Sequence, residues 1–156
     1  MRIKSAGAAG LGVVALSIVG VAAPAGAATD HTERFLFVNT SATANSYPVS
    51  ATGPIHALGE DHPIGNSNRD RIVFPAGTVI LRHDRTSGTN SAFDRKTCTF
   101  RFTEQGTYRV LSGTEAYSHV SGHGTYQLSG VGIGCDPNKP PSTFSLIIRA
   151  AGPLSY

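Results

Sequence analysis

The chain has 156 residues, with 13 Lys and Arg against 10 Asp and Glu and a formal charge of +3. Two of the cations, Arg2 and Lys4, fall in an N-terminal leader, so residues 28–156 carry only +1, which makes no electrostatic case for nucleic acid or for an anionic membrane surface. Tryptophan is absent and the five tyrosines are scattered, so the flat aromatic platforms of a carbohydrate-binding module are not in evidence.

Arg2 and Lys4 precede an apolar run from Ala6 to Ala23, diluted by Gly7, Gly10, Gly12 and Gly20. The run ends in small residues at Pro24-Ala-Gly-Ala27-Ala28, and no basic stop-transfer group follows. This predicts a signal peptide over residues 1–27, cleaved after Ala27 with Ala28 as the near alternative, rather than a membrane anchor. A secreted protein without membrane attachment after cleavage is the expectation. Residues 28–156 suit a single domain, long enough to bury about two-thirds of the surface its unfolded chain exposes. Cys98 and Cys135 are the only cysteines, and in an oxidising compartment they are expected to form one disulfide, with two buried free thiols as the alternative.

Glu33–Asn39 reads as a strand, and Tyr47–Thr52 as an edge strand because Pro48 cannot donate to a ladder. Asn39-Thr40-Ser41 is formally a glycosylation acceptor and is discounted here on composition. Gly53–Asp70, with three glycines and two prolines, reads as a long loop and a place to look for a site. Its His56, Glu60, Asp61 and His62 are all metal-ligand types, but their spacing matches no metal motif, and neither a metal nor a cofactor is expected. Arg71–Phe74 and Thr78–His83 form a strand pair around Pro75-Ala-Gly77. Asp84–Lys96 is polar and reads as a second loop.

Thr97–Thr103 alternates, with Cys98, Phe100 and Phe102 on one face. After a turn at Glu104-Gln-Gly106 comes a phrase written twice, Gly106-Thr-Tyr-Arg-Val-Leu-Ser-Gly113 and Gly124-Thr-Tyr-Gln-Leu-Ser-Gly130. Between the copies, Ala116–Val120 is expected to be a short strand with Tyr117 and His119 on one face. Gly130–Gly134 reads as a bent apolar strand, 136–142 as a Pro-rich loop, and Thr143–Ala150 as the closing strand. No segment has helical periodicity. Eight or nine short strands with turn chemistry between them predict an all-β fold, a small antiparallel β-barrel of about eight strands.

The run Val73-Phe-Pro-Ala-Gly-Thr78, with Thr97-Cys98, Gly106-Thr-Tyr, Ser112-Gly-Thr114, Tyr117 and Gly122-His-Gly-Thr-Tyr126, resembles small exported bacterial proteins of the allene oxide cyclase barrel-like and dirigent-like group. The likeness covers about residues 70–135. Ser112 and Glu115 stand where that pattern expects glycines, so the turn is reshaped and a rim carboxylate added. The resemblance implies a barrel whose lumen cyclises a fatty-acid epoxide in the plant enzymes and steers phenoxy-radical coupling in dirigent proteins. No working residue of either can be aligned here.

Catalytic motifs are missing: there is no Gly-x-Ser-x-Gly, His-Glu-x-x-His, phosphate loop or Cys-x-x-Cys. His83 and Asp84 are strand neighbours facing opposite ways, and a disulfide would remove Cys98 as a nucleophile. His119 and His123 are separated by four, but flanking glycines make a turn the better reading. The leading expectation is a binding or scaffold module for a small apolar or phenolic ligand, with Tyr108, Tyr117 and Tyr126 as ligand-binding residues. The competing one is an isomerase acting in the lumen, with Tyr117, His119, Glu115 or Tyr126 as acid–base candidates. The third is a structural protein whose interior is filled by Phe100, Phe102, Tyr108, Tyr126, Phe144 and Leu146, with His119 in solvent.

Overall fold

The structure, a computed structural model, describes residues 31–87 and 90–156; the expected leader and cleavage site lie outside them. Among these residues nine strands and one short 3-10 turn are formed: β1 Thr32–Asn39, β2 Tyr47–Thr52, β3 Ala57–Pro63, β4 Arg69–Phe74, β5 Gly77–Arg85, β6 Asn90–Asp94, β7 Thr99–Gly113, β8 Ser121–Ile133 and β9 Thr143–Ser155, with the 3-10 turn at Glu115–Tyr117. All pairings are antiparallel. The sheet runs β5-β4-β3-β2-β1-β9-β8-β7, and β5 pairs again with β7, so eight strands close a barrel. Closure leaves no free edge around the barrel wall. β6 stands outside that circuit, pairing with the first residues of β7.

Period-two alternation aims one face of each strand inward. Phe35 and Phe37 from β1, Val49 and Ala51 from β2, Ile72 and Phe74 from β4, Val79 and Leu81 from β5, and Tyr108 and Val110 from β7 are buried together. Each of the Phe, Val, Ile and Leu side chains among them contributes on the order of 1.5–3 kcal/mol on leaving water.

The repeated phrase pairs with itself. Gly106-Thr107-Tyr108 lies antiparallel to Gly124-Thr125-Tyr126 with Thr107 opposite Thr125, so Gly106 faces Tyr126 and Tyr108 faces Gly124. A Cβ on Gly106 would meet the Tyr126 ring, and one on Gly124 the Tyr108 ring. Each glycine therefore makes the space in which the other copy's tyrosine lies.

One end of the barrel is plugged. The β2–β3 connection folds beneath it and buries Ile55, whose backbone N–H donates to Glu33 Oε2 at 2.7 Å. Glu33 is itself fully buried, and that burial pushes its carboxyl above the usual range. Tyr117 closes the same end edge-on to Phe74 and Tyr156, and the Tyr156 hydroxyl donates to the Pro54 carbonyl at 2.8 Å. At the other end β7, β8 and β9 run on past the barrel and, with β6, form an apron carrying Phe100, Phe102 and Phe144 in a stacked row. Cys98 and Cys135 form the expected disulfide at its tip, with Cα atoms 4.9 Å apart.

Several sequence expectations give way. The segment 53–70 is not one loop: it holds β3, an internal strand, and the start of β4, with a tight turn over 64–68 closed by the Ile64 N–H to Arg69 carbonyl bond. β3 escaped notice because its inward positions include Gly59, whose missing side chain is replaced by the Phe74 ring, and Asp61. β2 is likewise internal. Pro48 is tolerated because the β1 ladder ends at the Phe37–Val49 pair, one residue before it. The second loop contains β6. No turn interrupts β7 at Gly106 and no break separates Gly130–Gly134 from β8. Cys98 sits in the turn before β7 at φ 54°, not on the Phe100 face. Ala116–Val120 is not a strand: Tyr117 is buried while Glu115 and His119 are exposed, so Tyr117 and His119 share no face.

Candidate functional site

The open end of the barrel leads into a cavity of about 230 Å³. Its apolar walls come from Phe37 on β1, Leu81 on β5, Leu128 on β8 and Leu146, Ile148 and Ala150 on β9. The residues expected to fill the interior divide, with Tyr108, Tyr126 and Leu146 lining the cavity. Phe100, Phe102 and Phe144 lie on the apron beyond the cavity, where Phe102 covers Gly130 and Phe100 covers Gly132. They shield glycines and leave the lumen free. A larger depression of about 490 Å³ on the outer wall is edged mainly by the outward-facing Arg34, Leu36, Gln127 and Arg149, and brings no buried polar group together.

Polar side chains gather on one side of the lumen, each delivered by the inward register of its strand. Asp61 on β3 is 1 % exposed and stands opposite Tyr47 on β2, whose hydroxyl donates to it. Asp70 on β4 lies 2.8 Å from His83 Nδ1 on β5. Glu104 on β7 accepts a 2.6 Å hydrogen bond from the Tyr126 hydroxyl, and its other oxygen is 3.7 Å from Arg85 at the rim. The His83 ring meets Tyr126 edge-on at 6.0 Å. Solvent reaches this group, since the His83 side chain is 38 % exposed and that of Glu104 21 %.

Electrostatics follow from that placement. Burial, reinforced by the negative charge of Asp70, pushes Asp61 up to about 7, so that near neutral pH it holds its proton about half the time. The hydrogen bond to Asp70 raises His83 above the ordinary imidazole value against the opposing effect of burial. Burial raises Tyr108 to about 12, and raises Tyr126 together with the Glu104 hydrogen bond, so both phenols stay neutral. Among the described residues, two buried side-chain polar atoms have no partner: Asp61 Oδ1 and the Tyr108 hydroxyl. An unsatisfied buried group costs on the order of 1–3 kcal/mol, and both belong to residues lining the cavity.

The sequence candidates divide accordingly. Tyr108 and Tyr126 line the lumen. Tyr117 is at the plugged end, and Glu115 and His119 are on the surface there; the structure does not bring these three to the cavity. His123 is also exposed. Of the loop residues weighed as metal ligands, only Asp61 turns into the lumen; Glu60 and His62 pair with each other outside at 3.5 Å. The Asp70–His83 pair was missed because its members lie 13 residues apart on two strands. A signal existed: Asp70 continues the inward alternation of Ile72 and Phe74, and His83 that of Val79 and Leu81. Among the described residues, no helix is long and apolar enough to cross a membrane. No protein-family model matches the chain, and neither a curated protein nor a solved structure is significantly similar to it.

Proposed function

We propose that the barrel is an exported calyx that binds a small ligand with an apolar or aromatic body in its lumen. The observation that carries this is the cavity itself, plugged at one end by Ile55 and Tyr117, open at the other, apolar along β9 and polar along β3 to β5. About 230 Å³ exceeds the ~150 Å³ cavity known to take benzene, which suits a ligand of one or two rings or a short branched chain. Water there would gain little from Leu81, Leu128 and Ile148, so an apolar body displaces it favourably. The Cys98–Cys135 disulfide is compatible with an extracellular location and supports export. The proposed kinship with the allene oxide cyclase barrel-like and dirigent-like proteins is one of architecture and carries no activity with it.

A second reading has one observation in its favour. Asp61, poised near neutrality, and the Asp70–His83 pair face the same lumen, an arrangement able to give and take a proton as an isomerase requires. Binding precedes either role. Titrating methyl-labelled protein with ethylphenol tests it: shifts centred on Leu81, Leu128, Leu146 and Ile148 are expected. Shifts confined to the outer wall, or none, would reject the calyx.

A further inference from the structure

We infer that the lumen selects ligands bearing a protonated amine on an apolar body, with the free oxygen of Asp61 as the primary acceptor. This rests on the calyx reading above and goes beyond it by fixing the chemistry of the ligand's polar head.

The polar side of the cavity is rich in acceptors. Three carboxyl groups, Asp61, Asp70 and Glu104, line it. Each accepts a hydrogen bond from a wall side chain: the Tyr47 hydroxyl for Asp61, which also accepts from the His62 backbone N–H, His83 for Asp70 and the Tyr126 hydroxyl for Glu104. The Tyr47 and Tyr126 hydroxyls and His83 Nδ1 are thereby engaged inside the wall. What remains unmet on this side is Asp61 Oδ1, on a residue 1 % exposed. A carboxylate, phosphate or phenolate ligand would add negative charge beside three carboxyls, and the cationic donor it would meet in the lumen is His83, whose ring is already tied to Asp70. A neutral alcohol satisfies one oxygen but leaves the charge uncompensated. An ammonium group offers three donors and a positive charge to set against the ionised Asp61.

The groups facing Asp61 fix the pH dependence. They are Tyr47 on β2, Asp70 on β4 and His83 on β5, with Glu104 on β7 and Tyr126 on β8 on the far wall and Arg85 at the rim held by Glu104. The two phenols stay neutral below pH 10. Ammonium binding requires Asp61 ionised, so protons compete with the ligand at acid pH. His83 loses its charge as pH rises, removing a competing cation. Both effects strengthen amine binding with rising pH and neither opposes it.

Calorimetric titration of the exported protein with phenethylamine, phenethyl alcohol and phenylacetate at pH 5 and pH 8 tests this. The amine should bind at least about tenfold tighter than the alcohol at pH 8, in line with a hydrogen bond to a charged group. It should lose most of that advantage at pH 5, and phenylacetate should be the weakest of the three. Asp61→Asn, which keeps the shape, should remove the preference of the amine over the alcohol. If that variant does not fold, the pH dependence of the native protein decides alone. Equal affinity for amine and alcohol at pH 8, or amine binding that weakens with rising pH, overturns the inference and leaves the calyx standing. Failure of all three probes to bind overturns both.

Discussion

Tyr126 lies over Gly106 on the neighbouring strand, and its hydroxyl reaches back two residues along that strand to Glu104. The reciprocal contact, Tyr108 over Gly124, completes a local two-fold arrangement around Thr107 and Thr125. The doubled Gly-Thr-Tyr phrase is thus a packing device: it brings two bulky rings into a narrow barrel by taking the side chain away from the residue opposite each.

Alanine at these glycines should show which contacts can yield. A Cβ at Gly124 meets both the Tyr108 ring and the Ala151 carbonyl, whereas at Gly132 the nearest atoms all belong to the Phe100 ring. Both substitutions should destabilise by about 1–3 kcal/mol. Phe100→Leu should rescue much of the Gly132→Ala loss in a double-mutant cycle, while Tyr108→Leu should rescue little at Gly124, because a backbone atom cannot move aside.

Stability should fall as pH rises from 4 to 8. Asp61 has a folded value of about 7 against about 4 in an unfolded chain, so its protonated form favours the fold fully below pH 4, and that contribution is lost progressively up to pH 7. His83, raised by Asp70, acts in the same direction above its unfolded value near 6.5. The exposed Asp84 and Asp94, whose values are lowered by Arg82 and by the Lys96 backbone respectively, act the other way only below about pH 4. Chemical denaturation should report a loss of about 2–4 kcal/mol across the window, and Asp61→Asn should flatten most of it.

The plug depends on a buried carboxylate. Glu33→Ala would strand the Ile55 N–H and also remove the acceptor of the Arg34 N–H, and should cost about 2–4 kcal/mol. Glu33→Gln keeps an acceptor and should cost about half as much. Urea midpoints at constant slope would separate the two; equal losses would remove the carboxylate from this role.

Reduction should loosen the apron before the barrel. Cys98 and Cys135 are 37 residues apart, for which loop entropy gives about 4 kcal/mol. Amide exchange should accelerate in β6, the first residues of β7 and the last residues of β8, with the strands around Phe35 and Ile72 still protected. An intact mass unchanged by reduction would rule out the bond in the exported protein.

Much of the barrel was legible because apolar alternation is a local signal: β4, β5 and the Tyr108–Val110 segment read directly. β3 was not, because its inward positions carry Gly59 and Asp61, one filled by a ring from β4 and the other kept polar for the lumen. The site was hidden for the same reason. Its residues arrive from five strands, and only closure through the β5–β7 pairing puts Asp61, Asp70, His83, Glu104 and Tyr126 around one space. The Tyr117–His119 face failed because Glu115 takes a left-handed conformation at φ 55° and turns the chain into a 3-10 turn before a strand can form.

Whether the lumen is a working cavity is the central question, and filling it answers most directly. Leu128→Phe adds a ring where the wall of β8 meets the space. Calorimetry with ethylphenol should give one saturable site on the native protein and a loss of at least about tenfold in the variant, whose fold is confirmed by an unchanged circular dichroism spectrum. Equal binding to both, or none to the native protein, would contradict the account.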